Sequence, residues 1–171
     1  MFNWLKNRTE PVRNDELIDV KTAPGTLIQY SPELLLQLTK EHRQLLILFG
    51  EIRVAFQRGD YKKTVQKINE FRSLFQAHLL IENVRLYIYL ERSFADDATN
   101  YELIRGLRRE MDNIARTALA FLDKYEAIGV DKDVGANFSS DIEAVGEILM
   151  RRVDNEENTL YQLYLISHHN F

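Results

Sequence analysis

The sequence predicts an all-α fold: an antiparallel up-down-up-down bundle of four helices behind an N-terminal arm. Three observations carry this. Apolar residues recur every three or four positions through four long stretches, the spacing of one helix face. Gly and Pro are scarce, at 7 and 3 of 171 residues, and several of them fall at the expected breaks. Most links between the stretches are only a few residues long, which forces consecutive helices to run antiparallel.

Residues 1–30 read as the arm. Thr22-Ala23-Pro24-Gly25 is a turn signal, because Pro sets φ and Gly tolerates φ > 0. Trp4, Leu5, Leu17, Ile18, Leu27 and Ile28 are apolar, so the arm is expected to pack on the body. The bundle should occupy residues 31–166, with 167–171 as a short tail. Ser31-Pro32 is a helix start, Ser as N-cap and Pro at the first helical position. The first helix should reach Arg58, where Gly59 can take a left-handed cap. Asp60 should cap a second helix running to about Arg92. Asp96 or Asp97 opens a third, which ends near Tyr125 to Ala127. Gly129 to Asn137 is a loop. Ser140 and Glu143 form a capping box for a fourth helix ending near Ile166.

A bundle seam fixes the inward register of each helix. The first reads Leu35, Leu38, His42, Leu45, Phe49, Ile52, Phe56, and the second Ile68, Phe71, Phe75, His78, Glu82, Leu86, Tyr89. The third reads Ile104, Leu107, Met111, Ile114, Ala118, Phe121, Tyr125. The fourth reads Ile142, Val145, Leu149, Arg152, Glu156, Leu160, Leu163. Five seam positions are therefore polar or charged: His42, His78, Glu82, Arg152 and Glu156. At about 1.5 Å rise per residue they converge on one level of an antiparallel bundle, with Met111 beside them. A buried carboxylate or imidazole needs a partner, since leaving the ion unpaired costs several kcal/mol. The partner is either a metal ion or the rest of the cluster. His78 and Glu82, four residues apart on one helix face, suit a first-row metal.

These segments resemble the hemerythrin-like (HHE cation-binding) family. Lys40-Glu41-His42-Arg43-Gln44-Leu45-Leu46 is similar to that family's first helix. The stretch from Ala77 to Tyr87 is similar to its second-helix His-x-x-x-Glu motif, and Val153 to Tyr161 to its fourth-helix segment. The resemblance covers about residues 32–165. It implies a four-helix bundle that typically holds two oxygen-bridged irons on His and carboxylate ligands, in proteins that carry or sense oxygen or handle iron and nitrosative stress. By resemblance, His42, His78, Glu82 and Glu156 are retained as metal ligands. The positions matching third-helix His ligands hold Met111 and Ala115, and a fourth-helix His position holds Arg152, so three nitrogen donors are missing. An intact di-iron centre is therefore not expected. Arg cannot ligate, and its guanidinium could neutralise Glu82 and Glu156 where a metal would otherwise sit.

Two functions follow as expectations. The first is an intracellular, cytoplasmic protein that has lost the di-iron oxygen-binding site and acts as a regulatory or protein-interaction module, with no cofactor. The second is a protein with a single iron or other divalent ion, acting in oxygen, redox or stress sensing. No motif for a metal-independent enzyme is present. The absence of Cys excludes disulfides, thiolate metal sites and cysteine nucleophiles. A net charge of −4 argues against a nucleic-acid partner. Leu79, Leu80, Val84, Tyr87 and Ile88 are apolar yet lie off the seam, so the arm, a protein partner or a second copy of the chain is expected to cover them. Arg105, Arg108, Arg109 and Arg116 are interrupted by acids and read as a solvated face. His168 and His169 belong to the tail.

Overall fold

A computed structural model describes residues 21–130 and 134–167. Among these residues the secondary structure is helical apart from turns and isolated bridge residues, among them the antiparallel pair Thr22 and Gln29. The apolar residues expected to anchor the arm at Trp4, Leu5, Leu17 and Ile18, and the tail histidines His168 and His169, lie outside the described residues.

Residues 21–30 turn back on themselves. Ala23 N–H donates to Ile28 C=O at 2.8 Å and Tyr30 N–H to Lys21 C=O at 2.8 Å. Gly25 has φ +70, as the turn signal requires. Ala23 is buried, and Ile28 and Tyr30 pack on the bundle. Leu27 does not: it is 95% exposed. It sits at the tip of the turn, pointing away from the helices.

Helix α1 spans Pro32–Gln57. Ser31 precedes it with extended backbone, but its hydroxyl donates to the Glu33 carboxylate instead of capping an amide. The buried face is Leu34, Leu38, His42, Leu45, Phe49, Ile52 and Ala55. Leu35 and Phe56, expected on the seam, are only half-buried. At both ends the buried position falls one residue earlier than expected, at Leu34 and at Ala55. The helix closes at Gly59, φ +70, with Asp60 N–H reaching back to Ala55 C=O at 3.0 Å.

Helix α2 covers residues 61–93 as an α-helical run Tyr61–Ile81, a π-helical turn Glu82–Tyr87 and a last α-helical piece Ile88–Ser93. The Asp60 carboxylate accepts the Lys63 N–H at 3.0 Å and caps it. Helix α3 spans Ala98–Tyr125 and is capped by Asp97, which accepts the Asn100 N–H at 3.1 Å.

Beyond α3, Gly129 has φ +92, and a Cβ placed there would lie 2.7 Å from Tyr61 Cβ. Gly129→Ala combines that clash with a disfavoured backbone and should destabilise the protein by about 1–3 kcal/mol, read by urea unfolding. A neutral result would mean that this connection does not press against the start of α2.

Helix α4 covers residues 138–167, with a π-helical turn Glu156–Leu160 between Phe138–Asn155 and Tyr161–Ser167. It starts earlier than the expected capping box. Ser140 lies inside the first turn, and its hydroxyl donates to Asn137 C=O at 2.9 Å. Phe138 decides the start: it is fully buried, stacked 4.0 Å from Phe56 and set edge-on to Tyr125. Burying that ring outweighs the cap.

The helices pack in a ring, α1 on α2, α2 on α3, α3 on α4 and α4 on α1. Two apolar clusters fill the interior. One joins Leu45, Phe49, Ile68, Phe71, Ile114, Phe121, Phe138 and Leu149. The other joins Leu38, Leu86, Tyr87, Ile104, Met111, Leu160 and Tyr164 near the opposite end. Between them lies a layer of buried polar side chains: His42, His78, Glu82, Arg152 and Glu156.

A candidate metal centre in the bundle core

Each polar residue of the layer takes a seam position, so the helix register itself aims it inward. His42 comes from α1, His78 and Glu82 from α2, and Arg152 and Glu156 from α4. Both carboxylates open the π-helical turns of their helices. A π turn widens the helix by one residue and is frequent at functional sites. In α2 it also changes the phase of everything that follows. Leu86 and Tyr87 both face inward, and Tyr87 is fully buried. This corrects the expectation that Tyr87 lies on an outer apolar face with Leu80, Val84 and Ile88. Leu80 and Val84 are exposed there and Ile88 is half-buried.

One ligand atom from each of His42, His78, Glu82 and Glu156 lies within 4.8 Å of the other three. His42 Nε2 is 3.0 Å from Glu156 Oε2, and His78 Nε2 is 3.9 Å from Glu82 Oε2. The other ring nitrogens are held from outside. His42 Nδ1 is 2.9 Å from Glu157 Oε1, and His78 Nδ1 is 2.9 Å from Glu41 Oε2. An ionised carboxylate only accepts, so each Nδ1–H donates. In the neutral ring this leaves the Nε2 lone pair facing the cluster. Carboxylate–imidazole pairs of this kind orient metal-ligating histidines.

Glu82 is the unusual member. It is fully buried, and neither oxygen has a hydrogen-bond partner. Burial, and then the charge of Glu156, push its pKa well above the ordinary carboxylate value, with Arg152 opposing. Glu156 behaves oppositely. Burial works against its charge, but His42 and Arg152 outweigh burial and lower its pKa. Arg152 Nε forms an ion pair with Glu156 four residues on, and its Nη2 donates to the Tyr87 hydroxyl. The pKa of His42 is raised, because Glu156 and Glu157 together overcome its burial. That of His78 is lowered by burial and by the charge of His42, against the pull of Glu41. The neutral state of His78, with its free Nε2, is the one a metal needs.

Two tyrosines flank the layer. Tyr161 lies nearly parallel to the His42 ring, at 6.0 Å and 7°, and its buried hydroxyl has no partner. A cavity of about 30 Å³ borders the cluster, lined among others by His42, His78, Met111, Ile114, Leu149 and Arg152. Met111 is buried on its wall, and Ala115, the other position matching a third-helix ligand, carries no donor.

The structure thus brings together all five polar seam residues and places Met111 beside them. It adds Glu41, Glu157, Tyr87 and Tyr161, whose roles the seam register did not mark. Glu41 and Glu157 each adjoin a seam residue and are only partly covered, at 15% and 35% side-chain exposure. Adjacency to a buried ligand candidate was the one available signal.

A four-helix bundle that closes a His/Glu cluster inside a polar layer defines a helical cation-binding domain. The match of residues 34–164 to the hemerythrin HHE cation-binding domain makes the assignment specific, and the chain belongs to that family. No curated protein and no solved structure shows significant similarity to the chain. The donor set fits the cation the family implies. Two imidazole nitrogens and two carboxylates converge, and the Glu82 oxygens lack the partner that an ion would be.

If Glu41 and Glu157 orient the imidazoles, Glu41→Gln and Glu157→Gln should each weaken divalent-ion affinity by about 10–100-fold. Competition with a chromophoric chelator measures this. Unchanged affinity in both variants would mean that neither contact serves an ion.

Proposed function

We propose that the chain binds one divalent first-row ion, held by His42 and His78 through Nε2 and by the carboxylates of Glu82 and Glu156, and works as a metal-dependent sensor of small molecules or redox state. Glu82 carries this reading. A fully buried carboxylate with two unpartnered oxygens is expensive, and an ion among these four residues would satisfy it. Bound iron would supply one-electron redox chemistry and affinity for small exogenous ligands. The rest is supplied by the protein. Glu41 and Glu157 fix the ring orientations, the two apolar clusters exclude water, and Arg152 holds Glu156. The small cavity admits no organic substrate of ordinary size, which favours sensing over metabolic catalysis.

Arg152 supports a second reading. Its ion pair with Glu156, and the pairing of His42 with the same carboxylate, neutralise most of the layer without metal. The protein would then be a metal-free regulatory module. Metal analysis of protein purified without chelator, then reconstituted with iron(II) or cobalt(II) under anaerobic conditions, separates the two. About one ion per chain is expected, lost in Glu82→Met. Substoichiometric metal after reconstitution, equal in parent and variant, would overturn the metal-site reading and leave the network.

A further inference from the structure

Helix α1 turns one face to the core, yet its outward face is apolar as well toward the C-terminal half. Ile47 is 62% exposed and Val54 40%. Gly50 stands between them on the same stripe, three residues from one and four from the other. Nothing within this chain calls for a glycine there. Its φ is not positive. A Cβ at Gly50 would meet no atom within 4 Å, whereas one at Gly146 would lie 3.1 Å from the Phe49 ring. Glycine in a helix interior is destabilising relative to alanine. What it provides is a low spot where another backbone can come close.

Two grooves flank the stripe, and their charge is opposite. On the α2 side lie Arg53, Arg58, Lys62 and Lys63, around a groove of about 890 Å³. Two acids share it, but Glu51 pairs with Lys67 at 2.9 Å and Asp60 caps α2. On the α4 side a groove of about 380 Å³ is edged by Glu143, Glu147 and the exposed Met150. Gly50 and Arg53 line both grooves. Among the described residues, none of Arg53, Arg58, Lys62, Lys63, Glu143 and Glu147 has an ion-pair partner. One chain carries both halves of a charge array and closes neither.

A second copy closes it. A two-fold axis laid roughly along α1 exchanges the sides, so the acidic α4 edge of each copy faces the basic α2 edge of the other. An axis across α1 would set acid on acid and base on base. A foreign acidic partner would satisfy the α2 side alone and leave Glu143 and Glu147 unanswered.

We infer that the chain forms a two-fold dimer through the outward face of α1, the two helices running in the same direction and meeting at Gly50. Ile47 and Val54 supply the apolar centre, and the flanking charges fix the direction. The dimer is independent of the metal site, because its face is the reverse of the one that carries His42.

Sedimentation equilibrium of the full chain should show monomer–dimer exchange with a dissociation constant in the micromolar range. Gly50→Arg projects into open space, so it should leave the circular dichroism unchanged and weaken the dimer about tenfold or more. Lys62→Glu with Lys63→Glu should weaken it likewise, and so should Glu143→Lys with Glu147→Lys. Mixing these two charge-reversed proteins should restore dimers with one chain of each, since their edges are complementary again. Cross-linking reads the direction. The parent has no Cys, so Ile47→Cys and Val54→Cys each provide a lone thiol. Each variant should oxidise to a linked pair by itself. Links that form only when the two are mixed would mean antiparallel helices and would overturn the proposal. A chain that stays monomeric at sub-millimolar concentration refutes it outright. A dimer indifferent to Gly50→Arg and to both charge reversals uses another surface and refutes it equally. Should Gly50→Arg fail to fold, the charge reversals and their mixture decide.

Discussion

Arg152→Ala should destabilise the metal-free protein by about 3–5 kcal/mol, the usual result of deleting one partner of a buried ion pair. The guanidinium is buried among Glu82, Glu156 and Tyr87. Without it Glu156 keeps only the two histidines, His42 foremost, to favour its charge, and both acids neutralise at higher pH. The loss should shrink when a divalent ion is present, since the ion replaces the missing cation. Urea unfolding with chelator and with excess metal measures both. A change under about 1 kcal/mol in chelator would mean that Arg152 is not the counter-charge of the layer. Arg152→His provides the complementary result. It restores a nitrogen donor on α4 and should raise ion affinity above that of the parent.

Glu82→Met should do the reverse of most core substitutions: it should stabilise the metal-free protein by about 1–3 kcal/mol near neutral pH. Replacing a buried group whose oxygens make no hydrogen bond with an apolar one of similar length is often favourable. Folded Glu82 keeps its proton to a higher pH than the unfolded chain does, so the parent loses stability as pH rises from about 4.5 through the raised pKa. The gain in Glu82→Met should therefore grow over that interval and diminish in acid. The same variant should lose its ion, giving a more stable protein that no longer performs the proposed task. Thermal unfolding from pH 4 to 8 with chelator tests the first half, and metal analysis the second. Destabilisation at pH 7 would show that Glu82 has a partner in solution.

The bundle was legible because each long stretch repeats one apolar stripe, and Asp60 and Asp97 cap helices where capping residues were expected. The layer was legible for the converse reason: His42, His78, Glu82, Arg152 and Glu156 interrupt stripes that are otherwise apolar. Local strength of signal did not decide everything. The Ser140 box is a good cap by pattern, yet Phe138 gains more by entering the core two residues earlier. Tyr87 was misplaced because a constant helical period was carried through Glu82. The π turn at Glu82–Tyr87 shifts the phase by one residue without a breaker residue to announce it. Glu41 and Glu157 look like surface acids in sequence. Only the fold shows that each accepts from an imidazole whose other nitrogen faces inward.

The polar layer divides the interior into two apolar halves, and this bears on how the molecule opens. Groups of residues that share one apolar cluster tend to exchange their amide protons together. The half around Phe71 and Phe138 and the half around Leu38 and Tyr164 are two such groups, joined across the polar layer. Native-state hydrogen exchange of the metal-free protein should resolve two opening free energies. A cation gripped by residues from three helices at the boundary would act as a rivet. Its addition should draw the two protection levels together, because neither half could then open without releasing it.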